Sequence, residues 1–296
     1  METSQKVIGI SAALGSAASW ALGAILFKKI GDQMSSFGMT LAKGSVSVIL
    51  LGLVALFVGF VGIDSNSLWL LILSGVVGIG LGDTLFFEAL KDLGPVTLLV
   101  LLMVGQILTV LMAIFILGEF PSTIAWLGIG LVLIGVCVVL ACDLSGEKKK
   151  SGMRGILLGI AFMLCMSVSV IIAKGPLDKY AGTIQPTFIR MLAGTIGVFV
   201  GGTILGQVGG WVAPLKKPTF LVYFVISVCV VTFGGFWLSM VAIKNLDVAV
   251  ANTLNSTEPI FVLPLAAIFF RDKIKPWAVA GSVTAMSGIA LICLNS

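Results

Sequence analysis

Apolar residues fill this chain in long runs broken by short polar punctuation, rather than in the alternations that mark a half-buried strand or an amphipathic surface helix. Ten such segments of about 18 to 25 residues can be traced, near 7–27, 38–62, 67–90, 95–118, 123–142, 155–174, 183–206, 218–242, 247–270 and 276–294. Each is close to the ~20 residues that cross a bilayer core of ~30 Å. The pattern predicts an all-α membrane protein with ten transmembrane helices. Connections are mostly short, which leaves no room for a soluble domain, and the longest polar one is DLSGEKKKSGMR (Asp143 to Arg154).

Composition supports this reading. With 58% hydrophobic and 10% charged residues, a globule in water would leave far too much apolar surface exposed. The first apolar run has only Glu2 and Lys6 before it, so it lacks the net-positive leader of a secretory signal and is expected to be mature structure. Five cysteines, Cys137, Cys142, Cys165, Cys229 and Cys293, all fall inside apolar segments without metal-like spacing, and read as small buried residues. The formal net charge of +5 suits basic loops beside anionic lipid, and so few exposed charges make nucleic acid a poor partner. Histidine is absent, so any proton chemistry must use carboxylates. Neither a cofactor nor a metal is expected.

The chain aligns with itself. Residues 82–136 fall on 235–289 at a shift of 153, matching Gly82 with Gly235, Lys91 with Lys244, Gly128 with Gly281 and Gly135 with Gly288. ALKDL falls opposite AIKNL, and Gly118–Glu119 opposite Arg271–Asp272. At shifts of 146 and 147 the front parts align too, Lys28 on Lys174 and Lys43 on Arg190. Residues 1–142 and 155–296 therefore read as two five-span repeats joined by a basic linker, 143–154. Five is odd, so the second copy must enter the membrane from the opposite side. Inverted halves of this kind enclose a central site that can open alternately to either face.

These features together resemble one family. SWALGAILFKK (Ser19 to Lys29), Lys43 early in the second span, ALKDLG closing the third, ILGE closing the fourth and TEP in the ninth are similar to the EamA-type transporters of the drug/metabolite transporter superfamily. The resemblance covers essentially the whole chain. It implies a central cavity between two halves, transport of small metabolites such as amino acids and drug-like cations, and both termini in the cytoplasm. The sequence departs from the family at Gln106, where proline is common; the ninth span keeps Pro259.

Polar residues inside the apolar runs are the candidates for function. Asp83 lies about 10 Å below the end of the third span, deep enough to need a partner or water. Lys43, on the antiparallel second span, reaches a similar depth. Asp83 is thus either half of a Lys43–Asp83 ion pair or a coupling carboxylate. Glu88 sits within a turn of the surface, screened by Lys91, and reads as a solvated helix-end group. NTLNSTEP (Asn252 to Pro259) crowds amides, hydroxyls and Glu258 into the middle of the ninth span. Asn252, Asn255, Ser256 and Pro259 share a face there. Pro259 and Pro264 leave backbone carbonyls without helical donors, which lipid does not tolerate unless they line a cavity or are buried in protein. Glu258 is the best single candidate for a coupling carboxylate; its structural alternative, like that of the amides, is to pack helices together.

Trp20 and Trp237, away from the interfacial belts, either stack on a substrate or pack. Trp69, Trp126, Trp211 and Trp277 read as interface anchors, and Arg190 as a side chain that snorkels to the surface in preference to binding an anion. Gly78, Gly80 and Gly82 lie within a membrane span and carry no phosphate-loop meaning.

The expected function is a secondary transporter of a small amino-acid-like or drug-like solute, multi-pass in the cytoplasmic membrane. It works by alternating access, one five-helix half rocking against the other, with coupling to protons possible through Glu258 and Asp83. The competing readings are a channel, a scaffold or, further off, a membrane-embedded enzyme. The expected partners are the small-molecule substrate, protons and the lipid bilayer, with the chain a monomer or homodimer. Both termini lie on one side. Basic residues concentrate in the opposite loops, which by the positive-inside rule places the termini outside, against the family's orientation.

Overall fold

The structure is a computed structural model and describes residues 2–30, 33–93, 98, 108, 112–118, 122–144, 153–180, 182–255, 257–270 and 276–295. Among these residues there are helices and turns and no strand. A backbone that faces hydrocarbon has to satisfy its own polar groups, and helices do so within one segment. The helices are α1 (Glu2–Ile30), α2 (Ser36–Val58), α3 (Ser65–Gly75), α4 (Asp83–Leu93), α5 (Thr123–Leu144), α6 (Met153–Lys179) and α7 (Ile184–Ile204). They continue with α8 (Val208–Val212), α9 (Pro218–Cys229), α10 (Leu238–Asn245), α11 (Val248–Asn255), α12 (Glu258–Phe270) and α13 (Pro276–Asn295). Six stretches among the described residues are long and apolar enough to cross a membrane: Ser4–Phe27, Ser36–Val58, Ser65–Asp92, Met153–Lys179, Ile184–Ile204 and Pro218–Asn245. They correspond to the expected first, second, third, sixth, seventh and eighth spans.

Helix ends follow local chemistry. The Ser35 hydroxyl accepts the Gly38 N–H at 3.1 Å and opens α2, and the Asp64 carboxylate accepts the Ser67 N–H at 3.0 Å and opens α3. Gly59, at φ 89°, ends α2 in a conformation that a side chain would strain, its N–H returning to the Ala55 carbonyl. Pro218 starts α9 where its missing N–H costs nothing.

The sequence does not announce two features of the rods. The third and eighth spans each contain a π-helical segment, Val76–Gly82 between α3 and α4 and Val230–Trp237 between α9 and α10. Shifted by 153, the first falls almost on the second. Both carry the glycines that the self-alignment matched. In the ninth span, the expected kinked helix is two helices, because α11 stops at Asn255 and α12 starts at Glu258. The Thr257 N–H turns back to the Leu254 carbonyl at 3.2 Å, and the Ile260 N–H to Thr257 at 2.9 Å. Pro259, having no N–H, sits at the start of the new helix, where it is tolerated. Most of the expected fourth span, Gln106 included, lies outside the described residues, as does the middle of the linker.

The packing is ordered by pairs. α1 lies along α9, its π segment and α10: Gly9 meets Leu246, Gly15 meets Leu238 and Gly23 meets Val231, so the two run antiparallel. α6 lies along α3, its π segment and α4 in the same manner, with Gly78 against Ser169 and Gly82 against Met166. The repeat shift exchanges these two pairs. α2 packs on α7, with Gly44 against Thr195 and Gly52 against Phe188, and α5 packs on α13, with Gly135 against Gly281 and Ala285, and Gly288 against Gly128. Each of these last two pairs joins a span to its own mate, and the mates run antiparallel. Two apolar clusters fill the interior, one around Leu177, Ile243 and Leu254 and one around Phe87, Met191, Phe224 and Phe236.

Candidate functional site

Asp83 is the first residue after the π segment of the third span, and Lys43 is the eighth residue of α2. The Lys43 ammonium donates to Asp83 Oδ2, and the two side chains are only 2% and 7% exposed. Little water reaches the pair, so each charge depends on the other and on its near neighbours. The Phe236 and Phe87 rings lie 4.6 and 5.7 Å from the ammonium. Trp20 meets Phe236 edge to face at 4.8 Å, which brings one of the two candidate tryptophans into the surroundings of the pair. The Ser47 and Thr232 hydroxyls bond at 2.6 Å close by, tying α2 to the second π segment.

Arg190 does not snorkel. It is 2% exposed, enclosed by α3, α6 and α10. α3 approaches so closely that a Cβ on Gly75 would lie 2.1 Å from the Arg190 carbonyl oxygen, and glycine is required there. The guanidinium Nη2 donates to Ser169 Oγ at 2.9 Å and Nη1 rests against Met240 Sδ. Ser169 is in turn clasped to Ser74, each hydroxyl donating to the other's carbonyl at 2.7 Å. The Ser169 hydroxyl hydrogen is thereby committed, and its oxygen is left to accept from Arg190. Asp83 attracts Arg190 electrostatically, but no carboxylate oxygen among the described residues bonds it. Arg190 Nε finds no hydrogen-bond partner among the described residues.

The broken ninth span forms a separate group. Asn255 Nδ2 donates to Ser239 Oγ at 3.2 Å, while its Oδ1 is buried without a partner among the described residues. Asn252 is half-buried one turn earlier. Glu258 is half-buried in the first turn of α12, where the helix dipole favours a negative charge, and has no ion-pair partner among the described residues. Ser256 lies outside the described residues. Trp237 turns to the start of α7, its Nε1 donating to Thr183 Oγ1 at 2.9 Å. The side chains singled out from sequence thus fall into two groups: Lys43, Asp83 and Trp20 in one, and Asn255 and Glu258 in the other. Ser239 and Met240, consecutive on α10, touch Asn255 and Arg190 respectively and join the second group to Arg190.

Charges at the ends of the third and sixth spans escaped the sequence reading. Glu88 is no lone solvated carboxylate: Arg154 donates to it at 2.8 Å and to Asp92 at 2.7 Å, joining the end of α4 to the start of α6. At the other end of the same helix pair, Lys179 meets Asp64 at 2.6 Å and Tyr180 donates its hydroxyl to the same carboxylate. Lys179 first, then Tyr180 and the Ser67 N–H, hold the Asp64 carboxyl well below the ordinary carboxylate range. Nearby, Lys174 donates to the Ile243 and Leu246 carbonyls at 2.7 and 3.1 Å, capping α10. The sequence signal was an acid flanking each end of the third span. The partners, about sixty and more than a hundred residues away, could not be paired without the fold.

Trp211 is also corrected. It is buried against Leu41 and Val198 and stacks on Phe37 at 5.2 Å, since the short α8 folds it back onto α2 and α7. Trp69 and Trp277 are exposed. Among the described residues, no group of three or more histidines, cysteines or carboxylates could hold a metal ion.

Long apolar helices, six of them among the described residues able to cross a membrane, mark an integral membrane protein. The profile of the EamA-like transporter family matches residues 7–141 and 153–294, and the chain belongs to that family. Among solved structures, one crystal structure with 17% sequence identity covers 99% of this chain and 98% of its own, with a TM-score of 0.76, a similarity of fold. A search of curated protein sequences gives no match.

Proposed function

We propose that the chain is a secondary transporter that carries a small solute across the cytoplasmic membrane by alternating access. In this reading it has ten spans in two inverted five-helix repeats, 1–142 and 155–296, joined by the linker 143–154. The observation that carries the reading is the antiparallel packing of repeat mates, α2 on α7 and α5 on α13, because copies inserted in the same sense would run parallel. The matched π segments of the third and eighth spans support the same relation, and such segments commonly sit at functional sites.

The packing favours a different division into rocking bodies from the two five-helix halves. The first span packs on the eighth and the third on the sixth, so each close pair mixes the repeats. The Arg154 and Asp64 clusters tie the third span to the sixth at both ends. Rocking of whole five-helix halves would break these contacts, whereas bodies that each contain spans of both repeats would keep them. The solute site is assigned to Trp20, Trp237, Asn252 and Asn255, which lie on or against the interrupted spans; Ser256, the fifth residue of this expectation, lies outside the described residues. Asp83, already paired with Lys43, serves in the ion pair. Glu258, without an ion-pair partner among the described residues, is the coupling carboxylate.

The test uses proteoliposomes loaded with a pH-sensitive dye and challenged with amino acids, nucleosides, sugars and organic cations. A coupled carrier moves protons with one of these solutes, and shows counterflow of that solute once labelled. Glu258→Gln is expected to abolish proton movement while counterflow continues. Unchanged proton movement in a well-expressed variant would remove Glu258 from the mechanism, and solute flux without counterflow would indicate a channel.

A further inference from the structure

Lys43, Arg190 and Asp83 form one electrostatic group at the centre of the bundle, and its charges do not balance. Two cations face one carboxylate, and all three side chains are buried. Glu258 does not restore the balance, since it pairs with neither cation. Lys43 is satisfied by Asp83 and two aromatic rings. Arg190 has one serine oxygen and one thioether, the latter a weak acceptor. Its Nε–H is aimed at no acceptor among the described residues, in a side chain 2% exposed. A guanidinium presents five N–H donors, so this one is far from saturated.

A cation in this condition is costly, because a side chain only 2% exposed gains little from bulk solvent in place of the missing acceptors. The repeat makes the imbalance sharper. Asp83 has Phe236 as its mate at a shift of 153, so the second copy has lost the carboxylate that the first copy supplies to its cation. The position of Arg190 is also built rather than incidental. Gly75 holds its backbone, the Ser74–Ser169 clasp fixes the oxygen it donates to, and Met240 covers its other side.

We propose that Arg190 is the anion-binding residue of the solute site, and that the transported solute bears a carboxylate. This rests on the transporter reading and names its substrate class. The excess charge is a single positive one, which a monoanionic group neutralises and a phosphate dianion would over-compensate. A carboxylate presents two oxygens to the planar fork of a guanidinium and takes up Nε–H together with a second donor. Met240 is next to Ser239, the partner of Asn255, so the same helix, α10, carries the residue that covers Arg190 and the residue that binds the broken ninth span. Organic cations are disfavoured at the same place by like-charge repulsion.

The experiment measures ligand-induced thermal stabilisation of the purified full-length protein with matched probes at equal concentration. The probes are L-leucine against L-leucinamide, benzoate against benzamide and succinate against succinamide, with a phosphate monoester and a quaternary ammonium ion as further arms. At least one acid is expected to stabilise the protein where its amide does not. Arg190→Met should weaken the binding of that acid by about tenfold or more, and Arg190→Lys should restore part of it. Equal stabilisation by acid and amide, stabilisation by the phosphate monoester or the ammonium ion alone, or no response to any acid would overturn the proposal. If Arg190→Met fails to fold, the comparison of acids with amides on the unaltered protein still decides. Counterflow of the same probes separates the two levels. An acid that binds without counterflow sinks the transporter reading and leaves the site, whereas counterflow confined to neutral or cationic solutes sinks the site and leaves the transporter.

Discussion

Lys43 and Arg190 stand at matching positions of the two repeats, and both are buried, yet their surroundings differ. Lys43 has a carboxylate from the neighbouring third span and two aromatic rings; Arg190 has a hydroxyl, a thioether and an N–H without an acceptor among the described residues. One side of the pseudo-symmetric core is closed by an internal ion pair, and the other is left with spare hydrogen-bonding capacity. A duplicated protein can in this way use one copy of a charged position to hold the fold and the other to meet a ligand.

The comparison can be broken first at Asp83. Asp83→Asn strands Lys43 and removes the carboxylate that also attracts Arg190, so a loss of about 3–5 kcal/mol is expected. Thermal or denaturant unfolding of the purified protein measures it. Arg190→Met strands no carboxylate, since Asp83 keeps Lys43, and should cost less, about 1–3 kcal/mol. Equal losses for the two variants would mean that Arg190 is as much a structural ion-pair member as Lys43, and the asymmetry would vanish. Phe236→Leu keeps apolar volume beside Lys43 while removing the closer ring, for an expected loss of about 0.5–2 kcal/mol. A null result there would mean that the closer ring adds nothing to what Asp83 gives Lys43.

The smallest effect contrasts the buried pair with an exposed one. Because Asp64 is held below the ordinary carboxylate range by Lys179, Tyr180 and Ser67, its contribution is complete above the unfolded value of about 4 and is lost as pH falls through the lower folded value. Melting curves of Asp64→Asn and the unaltered protein should therefore differ by a constant amount at neutral pH and converge only below about pH 4. The difference should also shrink with added salt, as for other exposed pairs. Convergence already near neutral pH would contradict the assignment.

Much of the fold was legible because a membrane imposes a length and a polarity on every span. The apolar runs placed the long helices within a few residues, and antiparallel depth alone suggested that Lys43 could reach Asp83. The site was legible only in part. Snorkelling was a sound expectation for an arginine about seven residues into a helix, and it failed because Gly75 brings α3 against the backbone at Arg190. The π segments left no distinctive signal, since glycine is frequent in transmembrane helices of regular form as well. Pro259 was visible, but whether the chain would bend or break around it depended on the packing of its neighbours, which no single segment contains.

The sequence by itself determined that this is a helical membrane protein, that it is written twice, and which few polar residues lie inside the apolar spans. Those are properties of local composition and spacing, which water and lipid act on segment by segment. Only the tertiary structure decided which cation received the carboxylate, which ends were tied by Arg154 and Asp64, and where an arginine was left with donors to spare. Such pairings join residues far apart in the chain, and charge satisfaction in a low-dielectric interior depends on distances of a few ångströms that no single segment contains.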